Sequence, residues 1–287
     1  MEWRVAVVAV WALAAAFLYG TSDFVGGVAS RRASALSFLT VSTPAGAVIM
    51  MAAALAVGGT ASAASLGWGF VAGAAGGLGI IVFFAGLAAG PMSVVAPLSA
   101  LTAAVLPVGV AVAEGERLAA TVLAGAALCL ASTVLVSLDK GRAGSPGRQP
   151  VIRSVACGIA AGAAFGLFFL FIRNAASAGG LWPLAASRAA GTAIVLMAAA
   201  RARRRPMRLG GGMPLLAAAL AGIGDATANL LYLLAVRSGP FALAVIITSL
   251  YPAVTVLLAR LVLGERMRAA QRAGLAIGAL GIILVTA

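Results

Sequence analysis

Ionisable residues are scarce inside the apolar stretches of this chain, so each one found there is informative. A charged side chain at membrane depth costs about 2.5–3.5 kcal/mol on insertion scales, and it normally faces a wet cavity or a partner. Asp225 falls in the middle of one apolar run, and Asn229 follows one helical turn later on the same face. Asp23 falls near the end of the first run, two residues after Thr21. A carboxyl that takes up and releases a proton is what proton-coupled transport requires. The alternatives are a carboxyl that caps a helix end or one neutralised by an arginine. Arg188 is the candidate for such a pairing. Equally, its guanidinium suits two parallel hydrogen bonds to a carboxylate or phosphate on a substrate. Arg260 and Arg173 lie near the ends of their runs, where a long basic side chain reaches the interface.

Three prolines, Pro97, Pro107 and Pro252, also interrupt apolar runs. Each removes a backbone donor and is expected to kink its helix. A kink frees carbonyls that must find a new donor or face water. This places Ser99, Thr102, Thr248, Ser249 and Tyr251 near an expected lumen; a proline tolerated as a packing kink is the competing reading. Phe165, Phe168, Phe169, Phe171 and Tyr232 could line a pocket, or simply pack against lipid and core. The Ala72-Gly73 and Gly76-Gly77-Leu78-Gly79 stretch lacks the context of a phosphate loop, and small residues in a spanning helix permit close packing.

Several chemistries are excluded. The chain has no histidine, which removes the commonest zinc ligand and general base. Cys129 and Cys157 sit in apolar runs and form neither a CxxC pair nor a disulfide framework. No catalytic residues, metal site or cofactor are expected. There is no Walker-type phosphate loop, so ATP is not the direct energy source. Gly222-Ile-Gly-Asp225 has the Gly-x-Gly-Asp form of aspartyl proteases that cut within membranes. Such an enzyme needs two carboxyls sharing a proton, and no second aspartate lies on a neighbouring run. The formal charge of +13 raises nucleic acid as a partner. The arginines instead occupy short loops between apolar runs, as the positive-inside rule places them, so no nucleic-acid binding is expected.

What positions these residues is a set of membrane-length helices. Hydrophobic residues make up 63% and charged residues 9% of the chain, and the mean hydropathy is +1.11. A soluble domain is about 45–50% apolar and about 25% charged, so lipid is the solvent for most of this surface. Ten stretches approach the roughly 20 residues that a span needs. In numbers they are 5–26, 35–57, 67–88, 93–113, 121–138, 154–173, 181–200, 214–236, 240–261 and 269–287. The first is read as an uncleaved helix because no convincing small-residue cleavage site follows it. A segment rich in Gly, Pro and charge, Asp139–Pro150, separates five stretches from five and reads as a flexible linker. The expected organisation is a first repeat at 1–138, a polar linker at 139–153 and a second repeat at 154–287.

The two sides repeat in register. Gly90-Pro91 recurs as Gly239-Pro240, and Gly115-Glu116-Arg117 as Gly264-Glu265-Arg266, both at an offset of 149 residues. At the same offset Leu101, Ala104 and Val105 match Leu250, Ala253 and Val254. Glu116 and Glu265 read as a charged turn after a helix that ends at glycine. A direct repeat with an odd number of spans must insert its second copy upside down, which is the plan of many secondary transporters. The arginine-rich loops, around 31–32, 140–153, 201–208 and 266–272, then share one membrane side, cytoplasmic by the positive-inside rule, with both termini outward.

The segment Gly90-Pro-Met-Ser-Val-Val-Ala-Pro-Leu-Ser-Ala-Leu with Gly115-Glu-Arg resembles the first half of EamA-type transporters of the drug/metabolite transporter superfamily. Gly239-Pro-Phe-Ala-Leu-Ala-Val-Ile-Ile-Thr-Ser-Leu-Tyr-Pro with Gly264-Glu-Arg resembles the second. Tyr19-Gly-Thr-Ser-Asp-Phe-Val-Gly-Gly27 is similar to the first helix of one bacterial subgroup. The resemblance implies an all-α membrane protein of ten transmembrane helices in two inverted five-helix repeats, with a central substrate cavity. It implies movement, with export as the first expectation, of small metabolites, amino acids or drugs across the plasma (bacterial inner) membrane. It also implies cytoplasmic termini, against the arginine count, so orientation stays open. The expected partners are the lipid bilayer, a small-molecule substrate and protons as a coupling ion. Asp23, Arg188, Asp225, Asn229, Tyr232, Thr248, Ser249 and Tyr251 are the candidates for substrate binding or proton coupling. The alternatives are a scaffold or sensor that transports nothing, and the intramembrane protease.

Overall fold

The computed structural model describes residues 2–30, 35–89, 92–116, 119–137, 148–175, 180–202, 212–264 and 269–286. Within them all regular structure is helical. The first half holds α1 (Glu2–Ser30), α2 (Ala35–Val57), α3 (Ala63–Ala89), α4 (Met92–Ala113) and α5 (Ala120–Ser137). The second holds α6 (Arg148–Ala175), α7 (Trp182–Arg201), α8 (Gly212–Ser238), α9 (Phe241–Thr248), α10 (Tyr251–Leu263) and α11 (Ala269–Thr286). Helix is what an apolar chain in lipid must form, because each backbone group then finds its partner within its own segment. Seven spans, counting α9 and α10 together, are long and apolar enough to cross a membrane. Three shorter apolar helices accompany them at Leu98–Ala113, Ala120–Val136 and Ala269–Leu284. The chain is a multi-pass membrane protein. Its large side chains point outward, as at Phe70, Val48, Leu261 and Ile283, whereas alanine dominates the buried positions. That distribution suits lipid outside and close helix contact inside.

The 149-residue repeat reappears as a packing pattern. α3 packs on α6 and α7, and their repeat counterparts do the same, α8 on α1 and α2. α2 meets its own counterpart α7, and α5 meets α11. The crossings rest on glycine. A Cβ at Gly73 would collide with the Ser187 carbonyl of α7, and one at Gly222, the position 149 residues later, with the Ser42 carbonyl of α2. Counterpart helices run in opposite directions. Trp182 Nε1 at the start of α7 donates to the Gly59 carbonyl just past the end of α2, at 3.2 Å. Along α5 and α11, Gly274 faces Leu135 and Val136, and Gly281 faces Cys129.

The Gly-Glu-Arg turns end their helices as expected: Gly115 and Gly264 adopt φ of 94° and 67°, the left-handed conformation that glycine takes without a Cβ penalty. Glu265, Arg266 and Arg117 lie outside the described residues. The sixth helix starts before the apolar stretch at 154. α6 begins at Arg148, so the last part of the expected 139–153 linker is helical, with Pro150 in the first turn, where a backbone N–H would have no acceptor within the helix. Residues 138–147 lie outside the described residues.

The three prolines stand in different settings. α4 runs unbroken past Pro97 and Pro107. The ninth apolar stretch instead divides at Ser249-Leu250, and Pro252 stands in the first turn of α10 rather than inside a helix. The break closes tightly, with Leu250 N donating to Ile247 O at 3.2 Å and Ala253 N to Leu250 O at 2.9 Å. The Ser249 carbonyl, left without Ala253, shares the Thr133 hydroxyl of α5: Oγ1 lies 3.2 Å from it and 3.0 Å from the Cys129 carbonyl of its own helix. Thr133→Val keeps the shape and deletes this donor. It is expected to lower stability by about 1 kcal/mol, the worth of one buried hydrogen bond, read as a lower thermal unfolding temperature in detergent.

Candidate functional site

A cavity of about 250 Å³ lies between the two halves. Its walls come from α1, α2, α3 and α4 of the first half and from α6, α7, α8 and α10 of the second. Glycine makes the room: Gly73, Gly77 and Gly191 line it at the α3–α7 crossing, where the two backbones touch.

The polar centre is built by α8. One turn of helix separates Asp225 from Asn229, so both side chains leave the same face, as the spacing requires. Arg188 of α7 donates from Nη1 to Asp225 Oδ2 and from Nη2 to the Asp225 carbonyl, the latter at 2.8 Å. Asn229 Nδ2 donates to that carbonyl at 2.9 Å. Tyr19 of α1 donates its hydroxyl to Asn229 Oδ1 at 2.7 Å. The chain Tyr19–Asn229–Asp225–Arg188 therefore ties α1, α8 and α7 together across the halves. The Arg188 side chain is 13% exposed and that of Asp225 41%, so the carboxylate keeps contact with water while the guanidinium is mostly enclosed.

Aromatic rings surround this centre. Tyr251 stands edge-on to Tyr19, with ring centroids 6.2 Å apart. Phe165, Phe168 and Phe169 of α6 line the opposite side with Phe83 of α3. Asp23 lies on the same wall, an exposed side chain one turn beyond Tyr19 on α1. Thr192 Oγ1, also on the wall, is buried and has no hydrogen-bond partner among the described residues.

Of the residues singled out in the sequence, Asp23, Arg188, Asp225, Asn229 and Tyr251 meet at this cavity. Three do not. Tyr232 is 0% exposed and packs behind the wall on Phe169, with ring centroids 4.6 Å apart. Thr248 and Ser249 lie at the α9–α10 break, buried where α9 packs on α1 and α4 and outside the cavity wall, with Ser249 Oγ bonded to Ile246 O at 2.7 Å. Ser99 and Thr102 sit in the α4–α6 contact, against Gly162. Phe171 packs on Trp68. The residues the sequence reading passed over are Tyr19 and Thr192. Tyr19 had a usable signal: the chain has three tyrosines, and a phenol within a span needs a hydrogen-bond partner.

At the far end of the molecule side-chain contacts join the two halves. Arg173 does not reach for the interface alone: it pairs with Glu114 at 2.5 Å and lies 4.7 Å over the Phe241 ring. Glu116 Oε1 accepts from Ala242 N at the start of α9 at 3.1 Å. Within the second half at the same end, Arg237 Nη2 donates to the Gly180 carbonyl at 3.0 Å. The cavity extends the other way, toward the arginine-rich loops, past Ile80 and Phe83 in the last turns of α3 and Val195 in those of α7. Arg260 is exposed near the end of α10.

The protease alternative meets a geometric obstacle. Asp23, distant in sequence, does share the cavity with Asp225. Asp225, however, is held by a guanidinium, and a carboxylate pair that shares one proton cannot also have one member bound to a permanent cation.

The chain matches the model of the EamA-like transporter family over residues 6–138 and again over 152–287. A crystal structure of a protein 18% identical in sequence superposes with a TM-score of 0.78, covering 96% of this chain and 95% of that one. It shows the same fold. No curated protein sequence matches the chain significantly.

Proposed function

Because the chain belongs to the EamA-like transporter family, we propose that it is a secondary transporter of small molecules in the plasma membrane, working by alternating access. The observation that carries this reading is the polar, aromatic-walled cavity built jointly by both halves. A site between two repeats opens to one side or the other when one repeat rocks against the other. The antiparallel counterpart helices support ten crossings arranged as two inverted five-helix units. The ties among Glu114, Arg173, Glu116 and Ala242 at one end, against a cavity that reaches toward the other, support a state closed on the arginine-poor side. Arg173 and Glu114 are 29% and 54% exposed, so their pair contributes only about 0–1 kcal/mol. A gate that weak can open within a transport cycle.

Without a nucleotide-binding loop the energy comes from a gradient, and the cavity carboxylates make protons the natural coupling ion. Export is the favoured direction. Purified protein in proteoliposomes is expected to move at least one solute from a panel of tritiated amino acids, amines and toxic analogues when a proton gradient is imposed. An ionophore that collapses the gradient should stop it, and Asp225→Asn should slow it at least fivefold. No gradient-dependent flux for any member of the panel would falsify the reading. A scaffold or sensor is disfavoured because its centre has no reason to hold a wet cavity lined by Asp225 and Tyr251.

A further inference from the structure

The charges in the cavity are unbalanced, and the imbalance has a direction. Two carboxylates, Asp23 and Asp225, and one guanidinium, Arg188, face it among the described residues. Arg188 is committed: both of its terminal nitrogens donate to Asp225, one to the carboxylate and one to the backbone carbonyl. Asp23 forms no ion pair and accepts no hydrogen bond among the described residues. An anionic substrate would meet a guanidinium whose charge Asp225 already offsets, and a second carboxylate beside it. A neutral one would displace water from Asp23 and leave it without a partner, which a low-dielectric site penalises. A cation supplies the missing partner.

We propose that the cavity takes a small monovalent organic ammonium ion with an aromatic or apolar body, and that Asp23 is its counter-ion. This rests on the cavity being the transport site. The walls fit the rest of such a ligand. Tyr19, Tyr251, Phe165 and Phe168 present rings whose faces attract a cation and whose area buries an apolar body. A metal ion is a poorer fit. A divalent cation of the calcium type takes 6–8 oxygen ligands, and no group of three or more potential metal-ligating side chains exists among the described residues.

The test is equilibrium binding to the full chain in nanodiscs, with radiolabelled phenylethylammonium and triethylammonium as probes. Phenylethanol and phenylacetate serve as the neutral and anionic matches of the first. At least one ammonium ion is expected to bind saturably and to be displaced by the other, with neither match competing at a hundredfold excess. Asp23→Asn is expected to weaken binding at least tenfold, and Asp23→Glu, which keeps the charge, less than threefold, with thermal unfolding of both near the parent's. Equal competition by phenylacetate or phenylethanol, no saturable ammonium binding, or unchanged affinity in Asp23→Asn overturns the proposal. The same preparation in proteoliposomes separates the two claims. Gradient-driven flux of another solute without ammonium binding removes the cation site and keeps the transporter. Ammonium binding without any flux keeps the cation site and removes the transporter.

Discussion

Arg188→Ala is expected to abolish transport, reducing gradient-driven flux at least twentyfold, and to destabilise the protein by about 2 kcal/mol. Breaking a buried ion pair by removing one partner typically costs about 3–5 kcal/mol, because the other charge is left uncompensated. Here the cost falls below that range. The Asp225 side chain is 41% exposed, so water takes over part of what the guanidinium supplied. The flux should suffer more than the stability. Arg188 holds the Asp225 carboxylate and carbonyl, and through them Asn229 and Tyr19, so its loss releases α1, α7 and α8 from one another at the centre of the cavity. A double-mutant cycle isolates the pair. Arg188→Gln with Asp225→Asn replaces the two charges by two neutral amides. It should regain most of the stability lost by either single change while flux stays low. A single variant at Arg188 that keeps more than half the parent's flux would remove the ion pair from the transport site.

The second large effect concerns glycines that carry no chemistry. Gly73→Ala and Gly222→Ala each place a methyl against the main chain of a helix from the other half, at the carbonyls of Ser187 and Ser42. Overpacking costs about 1–3 kcal/mol when neighbours can shift. Backbone inside a crossing cannot shift without separating the helices, so both variants should fall at or beyond the upper end, with reduced yield of folded protein in detergent. Gly109→Ala is the control. Nothing lies within 4 Å of a Cβ built there, and alanine is the better helix former, so its unfolding temperature should match or exceed the parent's. If all three variants behave alike, the two crossings are not close-packed. Because Gly73 lines the cavity as well, Gly222 gives the cleaner reading of packing alone.

The contrast between these predictions marks where the sequence was readable. The helices were legible because an apolar run of spanning length has one solution in lipid, and their duplication because Gly115-Glu116-Arg117 and Gly264-Glu265-Arg266 keep one offset. Odd-numbered duplication then led to opposed counterparts, which α2 against α7 displays. Asp225 and Asn229 share a face through helical geometry alone. The small residues at 72–79 were rightly taken for packing.

What sequence left open was rotation and partnership. A helix apolar on every side carries no periodic signal of which face turns inward, so Thr248, Ser249 and Tyr232 could not be told from Tyr251, although only Tyr251 faces the cavity. At the break at Ser249-Leu250 the freed carbonyl meets the Thr133 hydroxyl of α5, a donor more than a hundred residues away in the chain. Arg188 had two readings, substrate clamp or counter-charge, and only the crossing of α7 with α8 brought it onto Asp225 rather than Asp23. Composition and spacing thus determined a duplicated helical membrane protein with a few costly charges. The fold decided which of those charges pair and which stands open, because pairing is a matter of distance in space, and the residues concerned lie in different helices and different halves.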